Sequence, residues 1–195
     1  YADMITLSSG HIYGKALNDF VTPETERLSE KNHHRGELQR KRNEAAKNGD
    51  TAYAEKITAN NLGKKKYEAR KQRERERTQQ FINRELNRMI AEEKPGQIII
   101  TKAVSPKNTS PYQKALRRRL SRSFGGYIRV KLKQKCTANA IELTEINSKG
   151  TGSICSACGA EGKRTKEGFV CESCGLRISI ALNSAKNIEN KARSQ

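Results

Sequence analysis

Short apolar stretches near both ends of the chain enclose a long, strongly polar middle. Residues 4–13 place two such stretches on either side of Ser9 and Gly10, a pattern that predicts a β-hairpin. Charged residues then dominate from Thr22 to Glu93, where apolar positions recur at helical spacing only in places. Beyond Glu93 short apolar stretches return, which is typical of strands mixed with helices.

Two long helices are predicted in the polar middle. Thr22 can cap the first of them, and Pro23 suits a first helical turn. The second begins near Thr51 and ends at about Glu93, before a Pro–Gly pair. Because apolar positions are sparse, we expect an antiparallel pair packed at one end, with a coiled coil as the alternative.

The remaining elements predict an α/β domain with a mixed sheet. The "QIII" segment at 97–100 is expected to be a buried, central strand, and a helix should begin at about Tyr112. The alternating pattern of residues 139–146 predicts another strand. A last helix follows the cysteine pairs described next.

Four of the five cysteines form two CxxC pairs separated by twelve residues. Two thiolates on one tight turn chelate a single ion, and two such turns close a tetrahedral shell without an open position. We therefore expect a structural metal, zinc or a similar ion, bound by Cys155, Cys158, Cys171 and Cys174. A redox dithiol is the alternative, but nothing nearby would activate a thiolate. Cys136 is expected to be a buried, apolar side chain.

The charge distribution predicts a polyanionic partner. The formal net charge is +18, with 39 Lys and Arg residues against 21 Asp and Glu, and residues 94–141 contain no acid. A solvated face normally mixes signs, so nucleic acid is the expected partner. The phosphate contacts are assigned to one basic segment: Lys114, Arg117, Arg118, Arg119, Arg122 and Arg129.

No apolar run approaches membrane-spanning length, and the N-terminal residues do not form a signal-peptide pattern. We therefore expect no membrane partner. A soluble, cytoplasmic protein associated with the nucleoid is the corresponding expectation for localisation.

The motifs taken in order resemble a known family. They are "ADMITLSSGHIYGKALND", "IIITKAVSP", "RRRLSRSFGGYI" and the CxxC–CxxC ribbon followed by "ALNSAKNI". This order is similar to the C-terminal, RuvC-like half of the transposon-encoded TnpB family, the apparent ancestor of the compact type V CRISPR effectors. The resemblance covers essentially the whole chain. It implies a ribonuclease-H-like (RuvC-like) α/β fold with a zinc ribbon, together with a guide RNA and a DNA target.

The resemblance also implies a division of the chain. A RuvC-like domain would cover residues 1–150, with long inserted helices at about 22–94. The zinc ribbon would cover residues 151–176, and residues 177–195 would form the final helix.

The acids that the resemblance implies are missing from two positions. Active members of that family hold two divalent cations with three carboxylates. Aligning on the "SP" at 105–106 places Lys102 at the second acid. The third acid, expected two residues before Asn183, is Ala181 here, and the first would precede Tyr1. An ammonium group at about 4 Å repels a unit positive charge by roughly 4 kcal/mol at an effective dielectric constant of about 20. We therefore predict no catalytic residues and no catalytic magnesium.

Three functions are consistent with these features. The favoured one is an RNA-guided DNA-binding protein that is not an enzyme and acts by occupying its target, as a repressor or a targeting subunit. The second is an active RNA-guided endonuclease that uses displaced acids or is assisted by a partner subunit, either in a homodimer or with another protein. The third is a zinc-ribbon nucleic-acid binder without a guide.

Overall fold

A computed structural model describes residues 4–102 and 124–194 of the chain. It divides into two compact units. One unit combines the segment that ends at Lys15 with the chain from Ile82 onward, and the other covers Ala16–Phe81. Among the described residues, no helix has both the length and the apolar content needed to cross a membrane.

The first predicted element is confirmed as a β-hairpin. Strands β1 (Ile5–Thr6) and β2 (Ile12–Tyr13) pair in antiparallel register. The Leu7 N–H donates to the His11 carbonyl at 2.9 Å, and Gly10 adopts a φ of +97° inside the turn. This backbone conformation favours glycine, which explains why the Ser–Gly pair marks the turn.

Helix α1 (Leu17–Lys47) begins five residues before the predicted cap at Thr22 and therefore contains Pro23 in its interior. The predicted start was wrong. Leu17 is buried, and its burial favours an earlier start than the local signal at Thr22 indicates.

The predicted second helix is two helices, α2 (Thr51–Asn61) and α3 (Lys65–Glu93). The helix is interrupted at Leu62 and Gly63, because glycine is a poor helix former and the residues before it do little to stabilise a continuous helix. Arg35 bonds the carbonyl groups at the break, with Nη2 donating to Leu62 O at 2.8 Å and Nη1 to Gly63 O at 3.0 Å. A single arginine thus satisfies two carbonyls that a continuous helix would have bonded internally.

Within the unit Ala16–Phe81, α1 packs against α2. The buried apolar residues of these two helices and the turn after them are Leu17, Leu28, Ala45, Ala54, Ile57 and Leu62. At the start of α3, the Tyr67 hydroxyl donates to Asn32 Oδ1 at 3.1 Å, and the Arg35 guanidinium lies 5.3 Å from the Tyr67 ring centre. The packing of α1 against α2 agrees with the predicted pairing of mostly polar helices, while the antiparallel direction and the packing at one end stay predictions.

The hairpin is fixed to the C-terminal part of α3 by a buried tyrosine. The Tyr13 hydroxyl donates to Glu92 Oε2 at 2.9 Å and to Glu93 Oε1 at 2.7 Å. Burial, together with these carboxylates, raises the pKa of Tyr13 well above its usual range. The buried carboxylate of Glu85 accepts the Gly14 N–H at 2.9 Å. These side-chain bonds fix the hairpin to α3.

Strands β3 (Gln97–Thr101) and β4 (Glu142–Ile146) pair in parallel. Helix α4 (Gly125–Ala138) precedes β4 and buries Leu132 and Cys136, as expected for Cys136. Burial raises the pKa of the Cys136 thiol.

Three predictions for this region, those for β3, for β4 and for the helix between them, are not confirmed as made. Strand β3 is half-buried, not fully buried, and within the described residues it pairs with β4 alone, so its central position is not established. Strand β4 begins at Glu142 and not at Asn139, because α4 continues to Ala138. The helix predicted from about Tyr112 lies outside the described residues.

The cysteine-rich module contains a three-stranded antiparallel sheet. Its strands are β5 (Lys163–Arg164), β6 (Phe169–Val170) and β7 (Arg177–Ile178), with β6 in the middle. Helix α5 (Ile180–Arg193) follows, and the Ser179 hydroxyl caps it by accepting the Leu182 N–H at 3.2 Å. The helix therefore starts three residues later than the predicted 177, because that segment first completes the sheet.

Candidate metal centre

The two cysteine pairs occupy two turns of the same backbone design. In the first, the Gly159 N–H donates to Cys155 O at 3.0 Å; in the second, the Gly175 N–H donates to Cys171 O at the same distance. Both glycines have a φ of +76°. The left-handed conformation reverses the chain after each pair and turns both pairs of sulfur atoms toward one point.

The four sulfur atoms are spaced as a metal shell requires. Those of Cys155, Cys158, Cys171 and Cys174 all lie within 4.8 Å of one another. The Cys155–Cys174 and Cys158–Cys171 Sγ separations are both 3.6 Å. A tetrahedral zinc site with Zn–S bonds of about 2.3 Å places its sulfurs about 3.8 Å apart. The donor set therefore fits zinc, and the predicted ligands come together as one group.

Backbone N–H groups favour the thiolate form at the buried member of each pair. The N–H of Cys174, with that of Ser173, lowers the pKa of Cys171 to about 6. At Cys155 burial works in the opposite direction, but N–H groups including that of Cys158 outweigh it, and the pKa is lowered. Thiolates are the form that binds a metal ion, so the backbone prepares these two ligands for coordination.

The crowding of the sulfurs has the opposite effect at Cys174. The N–H of Leu176 favours the thiolate there, yet the neighbouring sulfurs of Cys158 and Cys155 raise its pKa to about 12. Four negative sulfurs at this spacing repel one another unless a cation lies among them. The arrangement therefore favours a bound cation over four free thiols.

The core beneath the metal shell is small and tightly packed. Phe169 is fully buried between Cys155 and Cys171, and Ile178 and Ile180 pack against this cluster. Ile180 is the first residue of α5. The metal shell and the final helix thus share one apolar core.

The close packing of this core predicts that Gly162 is sensitive to substitution. A Cβ added at Gly162 would meet the Phe169 ring and would lie 2.8 Å from the Val170 carbonyl oxygen. We expect Gly162→Ala to lower the free energy of unfolding by about 1–3 kcal/mol, because a packed core resists added volume. Gly126→Ala on α4 is the matched control, since nothing lies within 4 Å of its added Cβ. Denaturant unfolding of the two variants should show a loss for Gly162 and none for Gly126; equal curves would contradict the packing described.

Helix α5 carries functional residues that the sequence analysis missed. Asn183 is fully buried, and its side chain bonds the backbone on both sides of Cys155. Asn187 and Asn190 bond the same loop from the next turns of α5. The available signal was the spacing of the three asparagines, which recur at i, i+4 and i+7 and therefore share one helix face.

The two positions where the resemblance implied acids carry other groups. Lys102 follows β3 directly, and its N–H donates to the Ile146 carbonyl at 2.7 Å while its side chain is exposed. Ala181 is exposed in the first turn of α5. Strand β3 and α5 pack against each other. Both positions thus belong to elements that meet in the structure, and neither offers a metal ligand.

A further cation lies at the same end of β3. Arg129 on α4 donates through Nη2 to the Thr101 carbonyl at 2.6 Å, and its Nη1 lies 3.2 Å from Glu145 Oε1. Arg129 is the member of the predicted phosphate-binding set that the structure describes. The other members, Lys114, Arg117, Arg118, Arg119 and Arg122, lie outside the described residues. The phosphate contacts of the whole set therefore stay a prediction.

Comparison with known proteins gives a family match over part of the chain and matches to solved structures. Residues 126–188 match the family model described as Cas12f1-like, TNB domain. A chain of the cryo-EM structure of a Cas12f1–sgRNA–target DNA complex aligns with a TM-score of 0.52 at 21% sequence identity. The alignment covers 74% of this chain and 41% of the Cas12f1 chain, so this chain spans about two fifths of the length of the Cas12f1 chain. No curated protein gives a significant match.

The structural match shows a shared fold, and the family match adds a sequence relationship over the metal module and the elements that flank it. The matched residues run from α4 through the four cysteines to Ile188 on α5. They include the CxxC–CxxC ribbon and the "ALNSAKNI" segment, two of the motifs on which the resemblance to TnpB rests. The C-terminal part of the chain is therefore related to the TnpB and compact type V effectors, through a TNB domain of the Cas12f1-like kind.

Proposed function

We propose that this protein is an RNA-guided DNA-binding protein that occupies its target and does not cleave it. Base pairing with a guide RNA would select the DNA, and the protein would hold the hybrid through its phosphates. Occupation of a promoter or another site would then repress a gene or recruit a partner. The observation that carries the proposal is the presence of Lys102 and Ala181 at the two positions where nuclease relatives need carboxylates.

The basic surface of α4 supports nucleic-acid binding. Lys133 is exposed on this helix, and Lys131 is half-buried with its Nζ 3.1 Å from Gln134 Oε1. Acids are missing from the whole of 94–141, so no carboxylate on α4 competes with phosphate for these lysines. Val130, the residue before Lys131, is 55% exposed, which leaves an apolar contact available on the same helix. Such a surface suits a sugar–phosphate backbone.

The charges at the end of β3 support the loss of cleavage. A two-cation mechanism needs carboxylate oxygens, because hard divalent cations select them. Lys102 and Arg129 are instead basic side chains that cannot supply such oxygens, and Arg129 already pairs with Glu145. Within residues 4–102 and 124–194, the cysteine shell is the one group of three or more His, Cys, Asp and Glu side chains arranged to hold a metal ion.

We further propose that zinc is the ion in the cysteine shell and that β3 and β4 belong to a ribonuclease-H-like sheet. The thiolate donor set and its spacing support zinc. The parallel β3–β4 pair, with α4 in the connection between the strands, supports the sheet. A nucleoid-associated protein of the cytoplasm that acts with a second copy or another protein is the corresponding proposal for its setting.

The RNA content of the purified protein tests the guided function. We expect a defined RNA to co-purify, and the protein should then bind duplex DNA whose sequence matches a segment of that RNA. Scrambling the matching DNA segment, with length and salt unchanged, should weaken binding by at least about 100-fold, since non-specific binding is far weaker than guided binding. A protein that carries no defined RNA and binds both duplexes equally is a guide-free binder, and the proposal would be wrong.

A further inference from the structure

We infer that the asparagine face of α5, defined as Asn183, Asn187 and Asn190, couples metal binding to the position of this helix. The asparagines are positioning residues for the metal shell, and loss of the metal releases α5. This inference requires the metal but does not require a guide RNA. It can therefore hold even if the proposed function fails.

Asn183 holds the first metal ligand from both sides. Its Oδ1 accepts the N–H of Ser156 at 2.9 Å, and its Nδ2 donates to the carbonyl of Ile154 at 2.8 Å. These two backbone groups flank Cys155, the ligand between them. The Asn183 side chain has no solvent exposure. One buried amide thus fixes the peptide groups that aim the Cys155 sulfur at the metal.

Asn187 and Asn190 extend the same contact along the helix. The Asn187 Nδ2 donates to Thr151 O at 2.9 Å and to Ile154 O at 2.7 Å. The Asn190 Nδ2 donates to Ser156 O at 3.3 Å. The three side chains share one face of α5, because residues four and three apart lie above one another on a helix. Each of them bonds backbone that only the folded metal module presents.

The dependence works in both directions. If the first cysteine turn unfolds, Asn183 loses both partners, and a buried amide without partners is strongly unfavourable. Conversely, without the asparagines the turn keeps its cysteines but loses the bonds that fix their direction. Partners of this kind around metal ligands typically change metal affinity by about 10- to 100-fold.

Release of α5 would reach beyond the metal module. The helix packs against β3 and β1, and Ile180 at its start belongs to the core under the metal shell. Gly10 in the hairpin turn faces Leu182, whose Cδ2 lies 3.9 Å from a Cβ built on the glycine. A contiguous series of packing contacts therefore connects the cysteines with the end of β3, where Lys102 lies. The coupled element is α5 itself, held or released by the turn at Cys155.

The test uses the full chain loaded with zinc and follows metal and helix separately. Asn183→Ala should increase the equilibrium transfer of zinc to a competing chelator dye by about 10-fold or more. Asn187→Ala should give a smaller increase in the same direction, and Lys186→Ala, an exposed position on the same helix, should give none. Hydrogen exchange supplies the converse measurement: chelation of zinc from the unmodified protein should deprotect the α5 amides, while the α1 amides keep their protection.

Two results would overturn the inference. The first is a folded Asn183→Ala protein that retains zinc as strongly as Lys186→Ala does. The second is an α5 helix that stays protected from exchange after zinc has been removed. Where Asn183→Ala does not fold, the Asn187→Ala titration and the exchange measurement decide. Unchanged zinc affinity in Asn187→Ala, or continued protection of α5, then rejects the coupling.

Discussion

Replacing Cys171 with serine should remove the bound metal and unfold the cysteine module. Cys171 is 1% exposed, and its sulfur lies 3.6 Å from that of Cys158 on the opposite turn. A serine hydroxyl is a poor ligand for a soft-metal site, and three remaining thiolates do not close the shell. Since structural zinc contributes on the order of 10 kcal/mol to the folding of small modules, a core as small as the one around Phe169 cannot replace it.

The measurement is metal content per chain by elemental analysis, combined with hydrogen exchange of β5–β7. We expect one zinc per unmodified chain, none in Cys171→Ser, and loss of protection confined to the module and α5. Cys136→Ala is the control, because Cys136 is equally buried but lies on α4 outside the shell. It should keep its zinc and lose about 1 kcal/mol of stability. A folded, metal-free unmodified protein would contradict the structural role of the ion.

Reversing two charges on α4 should cause a large loss of nucleic-acid affinity. Lys131→Glu combined with Lys133→Glu places the first carboxylates in a span of 48 residues, 94–141, that has none. If each lysine neutralises one phosphate, the slope of log affinity against log salt should decrease by about 2. The affinity at physiological salt should fall by at least about 10-fold, because attraction is replaced by repulsion.

A matched pair on α1 controls for the change in net charge. Lys31→Glu with Lys47→Glu alters the charge equally, but α1 already alternates acids with bases, as at Glu30 and Glu44. Salt titrations of the unmodified protein and the two double variants, with the same RNA and the same DNA, give the comparison. If the α4 pair and the α1 pair shift the slope equally, the protein responds only to net charge and α4 is not the contact surface.

The metal ligands could be predicted from the sequence because their geometry is local. A CxxC turn fixes the positions of two sulfurs within four residues. The fold has to provide only one long-range contact, which brings the two turns together. The hairpin was predictable for the same reason, since Gly10 provides the positive φ that the turn requires. In both cases the residues that determine the structure lie next to one another in the chain.

Features that depend on distant partners were missed. The break after α2 is stabilised by Arg35 from another helix, and its two bonds to carbonyls have no signature in the sequence around Gly63. The half-buried state of β3 likewise depends on what covers it. Asn183 was used only to locate the position two residues before it, because an asparagine in a helix ordinarily indicates nothing about a loop 27 residues away. Its recurrence at Asn187 and Asn190 was the one local indication of a shared contact.

The most direct test of the central claim measures binding and cutting of one substrate in the same reaction. The protein with its own RNA is incubated with a guide-matched duplex, end-labelled on both strands, in magnesium and in manganese. A native gel then measures the bound fraction, and a denaturing gel measures strand integrity. With Lys102 and Ala181 where two metal-binding carboxylates would be needed, we predict a fully bound duplex whose strands both remain intact. Metal-dependent cleavage of the matched duplex, absent from a scrambled one, would contradict the account and establish the protein as a nuclease.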